Sequence, residues 1–258
     1  MLPRTKQIII ILVYVLIFLA IVFGVYFLFL KPAPTCSDGK LNQGEEQKDC
    51  GGPCPSCEIK TLKSIKILWV KALRTSEQNY DLVARIENPN QNYGLRSFGY
   101  KFSLYDLNNQ LVAEKAGSSF ILPRGERYLL ELKVPLDGSL AKVVLDIDEN
   151  VRWERIKDYL PPGISVFDKK YEVLKNGTVF SQASANIKNS SRFDYKNVGV
   201  AVIVFGSDGE PMAVNSTSLD LLGSGQERYV SVPWFFEVLG TAANLDIESE
   251  VNMYMQLN

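Results

Sequence analysis

Four cysteines carry the strongest chemical signal in the chain. They fall in one run, Cys36-SDGKLNQGEEQKD-Cys50-GGP-Cys54-PS-Cys57, a C-x13-C-x3-C-x2-C spacing, and no other cysteine follows. Four thiolates at such a spacing can hold a tetrahedral zinc ion. The pair Cys54 and Cys57 has the C-x-x-C separation of thiol oxidoreductases, although Gly51-Gly52-Pro53 and Pro55 put it in a loop and not in a βαβ unit. In an oxidising compartment the same four thiols form two disulfides, with three possible connectivities that the sequence leaves open. Disulfides are the leading expectation. They would staple a segment in which Leu41 is the one apolar candidate for a core, mainly by restricting its unfolded ensemble.

Oxygen donors crowd the interval between the first two cysteines. Asp38, Asn42, Glu45, Glu46 and Asp49 are of the type that a hard cation such as Ca²⁺ selects, and a solvated linker is the plainer expectation for them.

The chain contains no histidine, which excludes Ser-His-Asp and Cys-His catalysis and removes the commonest nitrogen ligand for metals. Lysines and carboxylates are scattered through strand-like segments, so a non-enzymatic role is expected. There are 28 basic and 29 acidic residues, and Arg4 and Lys6 lie at the very start, so the remainder is weakly acidic. No dense basic run with interleaved aromatics occurs, and nucleic acid is not an expected partner.

These groups need elements to position them. Residues 8–30, IIIILVYVLIFLAIVFGVYFLFL, hold no charge, amide or proline, and as a helix would extend about 34 Å, enough to span a bilayer with modest tilt. Arg4 and Lys6 precede the run and Lys31 follows it, which predicts a cytoplasmic N-terminus. The run exceeds the usual length of a signal-peptide core and does not end in small residues, so a retained anchor is expected. This predicts a stub at 1–7, a transmembrane helix at 8–30, a cysteine-rich stalk at 31–60 and an extracytoplasmic remainder.

Beyond Cys57 the chain reads as short strands. Ile65–Val70, Leu82–Ile86, Tyr100–Tyr105 and Lys142–Ile147 show period-2 or mixed apolar patterning, while residues 150–160 suggest a short helical turn. An internal repeat is also present. Ala84-Arg-Ile-Glu-Asn88 matches Ala185-Asn-Ile-Lys-Asn189, the segment from Phe98 to Tyr105 matches that from Val198 to Phe205, Arg127-Tyr128 matches Arg228-Tyr229, and Leu145–Asp148 matches Leu245–Glu248, at offsets of 100 or 101. Asn108-Asn109 and Asp208-Gly209 provide turn chemistry at equivalent places. The fold class is therefore mainly β: two tandem immunoglobulin-like antiparallel sandwiches of about seven strands, at 61–160 and 161–258, divided at Pro161-Pro162-Gly163.

Two resemblances follow from these motifs. The cysteine run is similar to C-x-D-G-x-x-N-x-x-E-x-x-x-D-C-G-G-x-C-x-x-C segments of bacterial and archaeal surface proteins, which implies an exposed stalk. Phe102-Ser-Leu-Tyr105-Asp106 resembles the motif of the FxLYD domain family, and Glu87-Asn88-Pro89-Asn90 resembles the N-P-N turn of late embryogenesis abundant type-2, or WHy, sandwiches. The resemblance implies structural roles: Phe102 and Leu104 pack inward, while Tyr105 and Asp106 help end the strand. The second copy departs from the motif, with Val202-Ile-Val-Phe-Gly206 and Asn189-Ser-Ser191 in the matching places.

Asn176, Asn189 and Asn215 each begin an Asn-X-Ser/Thr acceptor pattern for glycosylation. Pro233-Trp-Phe-Phe236 is read as sandwich core or domain contact ahead of an exposed patch. The membrane is the partner expected for residues 8–30, and an envelope protein or glycan for the rest.

Overall fold

The computed structural model describes residues 3–26, 35–136, 138–174 and 177–256. It divides into two compact units, Met1–Leu62 and Lys63–Asn258.

The first unit begins with helix α1, Pro3–Val25, and its side chains from Lys6 to Phe23 are exposed. Within it Lys6–Val25 is long and apolar enough to cross a membrane by length and composition. The helix starts before the expected Ile8, because Pro3 is well suited to a first turn and Thr5, Lys6 and Gln7 do not oppose a helix. The expected end of the span, residues 27–30, lies outside the described residues.

The cysteine segment of this unit is built on turns and closed by a 3₁₀ turn, Cys57–Thr61. Gly52 has φ +57°, and a Cβ there would sit 2.2 Å from the Gly44 carbonyl oxygen, so only glycine lets the two loops approach this closely. Leu41 is exposed, and the interior is Cys50 and Cys54.

The second unit contains thirteen strands among the described residues. In the first sandwich β1 (Lys66–Arg74), β2 (Asn79–Glu87) and β5 (Glu126–Pro135) form one sheet in the order β1-β2-β5. Its other sheet joins β3 (Tyr93–Tyr105), β4 (Leu111–Ile121) and β6 (Lys142–Ile147) in the order β4-β3-β6. The second sandwich repeats this arrangement with β8 (Ile164–Val173), β9 (Ser181–Asn189) and β12 (Glu227–Trp234) in the order β12-β9-β8, and with β10 (Tyr195–Gly206), β11 (Pro211–Leu222) and β13 (Ala242–Glu250) in the order β11-β10-β13.

The second sandwich is thus two three-stranded sheets, the first has a short fourth strand added to its second sheet, and among the described residues no seventh long strand lies beside β6 or β13. The expected helical turn at 150–160 is replaced by β7, Glu154–Arg155, which pairs with Tyr93-Gly94, and Ile156 N–H donates to the Asn92 carbonyl. Those backbone bonds hold the segment extended.

Each sandwich has its own core. Phe102, Leu104, Leu82, Ile86 and Leu145 centre the first, and Val202, Val204, Ile187, Ile247 and Trp234 the second. Fully burying one such side chain contributes about 1.5–3 kcal/mol.

The register of β13 corrects one sequence match. Phe102 faces Leu145 across the ladder, whereas its counterpart Val202 faces Ile247, so Leu145 corresponds to Ile247 and not to Leu245. A two-residue slip keeps every side chain on its own face, which is why the pattern match survived it.

Candidate functional site

The two disulfides are Cys36–Cys54 and Cys50–Cys57. This pairing, left open by the sequence, sets aside both alternatives built on the same sulfurs. Cys54 and Cys57 are bonded to different partners, so they are no dithiol couple, and no free thiol remains to ligate zinc.

Three of the five oxygen-bearing residues, Asp38, Glu45 and Asp49, accept backbone N–H bonds within the turns. Asp38 accepts from Lys40 N–H at 2.9 Å and from Asn42 Nδ2 at 2.9 Å, and these bonds, Asn42's first, hold its carboxyl below the usual range. Both Asp49 oxygens accept from Gly39 N–H, at 2.9 and 3.1 Å. Glu45 takes Asn42 N–H with Oε2 at 3.3 Å and lays Oε1 3.3 Å from Cys54 Sγ, while Glu46 is exposed. Among the described residues no three of these carboxylates bring their oxygens within 4.8 Å of one another.

Asn88, Pro89, Asn90, Phe102, Leu104 and Asp106 lie in turns and core, and the role of Asn88 recurs at Asn189. Asn88 is buried; its Nδ2 donates to Tyr93 O at 2.7 Å and Leu122 O at 2.9 Å, and its Oδ1 accepts from Asn90 N–H at 3.0 Å. Asn189 does the same in the second sandwich, donating to Phe193 O at 2.7 Å and Leu222 O at 3.1 Å and accepting from Ser191 N–H at 2.9 Å. Asn90 clamps both backbone groups of Lys63. Pro89 is half-buried between these two asparagines, Phe102 and Leu104 are fully buried, and Asp106 Oδ1 accepts from Asn108 and Gln110 N–H at 2.8 Å, closing the β3–β4 hairpin beyond Tyr105.

Asn189 is therefore corrected as a glycosylation acceptor. Its side-chain nitrogen is buried and spent on carbonyls, leaving none for a sugar in the folded chain. Asn215 is half-buried on β11 and donates to Pro233 O at 2.8 Å. Asn176 lies outside the described residues.

The chief feature that the sequence reading missed is a joint between the sandwiches. The outward face of β1-β2-β5 presents Trp69, Leu73, Val83, Tyr128, Leu130 and Leu132; it packs on Ala201, Ile203, Phe205 and Val214 from the outward face of β11-β10. Val83 and Ile203 are fully buried, and Trp69 packs edge-on to Phe205 with ring centroids 6.5 Å apart. A legible signal existed. Val200-Ala-Val-Ile-Val-Phe205 is continuously apolar, whereas its counterpart Tyr100-Lys-Phe-Ser-Leu-Tyr105 alternates, and a strand apolar on both faces is a strand covered on both.

Ion pairs ring this apolar patch. Arg85 Nη1 donates to Glu248 at 2.6 Å, its Nε donates to Glu126 at 3.1 Å, and the guanidinium lies 4.2 Å from the Tyr128 ring centroid. Tyr128 hydroxyl donates to Asp246 at 2.9 Å, and burial pushes that phenol up. Arg127 pairs with Glu250, whose carboxyl burial pushes above the usual range, against the pull of Arg127. Arg127 Nε and Glu250 Oε1 are buried without hydrogen-bond partners.

The C-terminal segment adds a clasp. Asn252 Nδ2 donates to Arg96 O at 3.0 Å, and Tyr254, in the short helix α2 (Met253–Gln256), reaches Glu154 O with its hydroxyl at 3.3 Å. Gly94 makes this possible, since a Cβ there would lie 2.4 Å from the Tyr254 hydroxyl.

The joint leaves clefts along its margins. The larger, of 580 Å³, includes Pro233, Trp234, Phe235 and Phe236. Trp234 belongs to the core, Phe236 packs against it and Phe235 is exposed, so the cluster divides between the two roles weighed for it.

No family model matches the chain, and no curated protein matches it. Among solved structures, red sea bream transglutaminase matches at 11% identity with a TM-score of 0.25, over 73% of this chain and 29% of that one. The chain thus spans less than a third of that protein, and a likeness at this level carries no functional argument.

Proposed function

We propose that this is a single-pass membrane protein of the cell envelope, with its N-terminus cytoplasmic, whose joined sandwiches bind or scaffold outside the membrane and do not catalyse turnover. The observation that carries this reading is the joint: two copies of one sandwich turn apolar faces on each other, which leaves their other faces free to present to partners. The exposed apolar helix α1 supports anchoring, and two disulfides support an oxidising compartment. Arg4 and Lys6 before the apolar run support the orientation. The repeated buried asparagine at Asn88 and Asn189 supports kinship of both copies with FxLYD or WHy-type sandwiches.

Labelling lysines on intact cells with a membrane-impermeant reagent tests the topology. Lys101, Lys170 and Lys188 should react, and protection of all three in folded, expressed protein would reverse it. Intact-mass measurement should find α1 retained. A turnover activity that survives stringent repurification would overturn the non-enzymatic reading.

A further inference from the structure

The geometry points to a binding site for a neutral oligosaccharide in the 580 Å³ cleft at the margin of the joint. This names a ligand class for the binding role proposed above, and it rests on that reading for access to sugars outside the cell. The volume falls within the roughly 300–1,000 Å³ of small-molecule sites, and such sites favour domain junctions.

Asp81, Lys133, Ser216, Thr217 and Phe235 set the chemistry. Asp81 is only 4% exposed; its Oδ1 accepts Lys133 N–H at 2.7 Å, and among the described residues no cationic side chain pairs with it. Burial pushes its carboxyl up, so a further donor at this carboxylate would be well rewarded.

An apolar ligand would cover that carboxylate and the hydroxyls of Ser216 and Thr217 without offering them a partner. An anionic ligand would meet one lysine facing one carboxylate. A sugar satisfies both sides, because its hydroxyls donate to Asp81 in a charge-assisted bond and exchange hydrogen bonds with the serine and threonine hydroxyls. Its C–H face then has a platform in Phe235, which is 63% exposed directly after the buried Trp234. Phe235 comes from the second sandwich and Asp81 from the first, so the site exists only while the joint is closed.

The test uses the full chain in nanodiscs, with saturation-transfer NMR against chitohexaose, cellohexaose, mannohexaose and maltohexaose and with a sulfated heparin hexasaccharide as contrast. At least one neutral hexaose should receive magnetisation, and Phe235→Ala and Asp81→Asn should each weaken its binding by about tenfold or more. Phe193→Ala, at an exposed phenylalanine outside the cleft, should leave it unchanged. Silence from all four neutral sugars, preference for the sulfated one, or binding that survives Phe235→Ala would overturn the site. Phe235 is exposed, so its variant decides the matter even if Asp81→Asn fails to fold. A negative result here leaves the lysine-labelling outcome standing, so the two readings fail separately.

Discussion

Val83 and Ser184 occupy the same place in the two copies of the sandwich, each in the middle strand of a three-stranded sheet, each pointing away from its own core. Val83 is sealed under Ile203 and its neighbours, while Ser184 is covered only by the polar side chains around it, Gln182, Asn186, Ser231 and Lys170. The opposite sheets differ in the reverse sense. Lys101, Ser103 and Glu114 in the first copy stand where the second has Ala201, Ile203 and Val214. Each copy thus has one sticky face and one polar face, chosen so that the pair fits once and then stops. A third copy would find a Lys101–Glu114 ion pair at one end and a lattice of Gln182, Glu172 and Ser231 hydrogen bonds at the other.

The largest effect that would break this comparison is a charge at its centre. Val83→Asp should cost more than about 4 kcal/mol, since it buries an unpaired carboxylate among apolar side chains, whereas Ser184→Asp, only 6% exposed but beside Lys170 and polar neighbours, should cost well under half as much. Paired urea melts read both, and equal losses would refute the assignment of the two faces. Next come the buried asparagines. Asn88→Ala and Asn189→Ala should each cost about 2–3 kcal/mol, because each removes a fully buried side chain that both donates to backbone carbonyls and accepts a backbone N–H in its turn. A marked difference between them would show that the two turns are not equivalent.

A smaller, pH-dependent effect belongs to Glu250. Its folded carboxyl titrates above its unfolded counterpart, so the folded state binds the extra proton and stability falls as pH rises from the ordinary glutamate value through the raised one. Urea midpoints from pH 4 to 8 should show that decline, and Glu250→Gln should flatten it. The smallest expected change is at Lys71 and Glu210, which reach across the same joint but are about half exposed. Lys71→Ala should cost no more than about 1 kcal/mol in the same melts, and less in high salt.

Much of this fold is legible in the residues taken in order. The apolar run, the strand alternation and the repeated Ala-x-Ile-x-Asn blocks lead to α1 and to two sandwiches of one design. What the order of residues conceals is company. Trp69, Leu73 and Leu130 look like ordinary strand residues until a second sheet is laid on them, and period-2 patterning tells which residues share a face without telling what that face meets. The pairing of Cys36 with Cys54 and of Cys50 with Cys57 follows the path of the folded loops, which spacing alone does not give. Asn189 shows a third limit: an acceptor motif is local, but whether its nitrogen is free depends on Leu222, thirty-three residues away. The candidate sugar site was half visible in Phe235, yet Asp81 joins it only through the tertiary fold.

The order in which the joint's two halves are synthesised has its own consequence. The face bearing Val83, Leu130 and Leu132 is finished once β5 ends at Pro135, but its cover is incomplete until β11 ends at Leu222. At about 5–20 residues per second, that interval is on the order of 5–20 seconds. For that time an emerging chain carries a completed β1-β2-β5 sheet with a bare apolar wall, and the biosynthetic machinery must keep it from neighbouring copies until its own second half arrives.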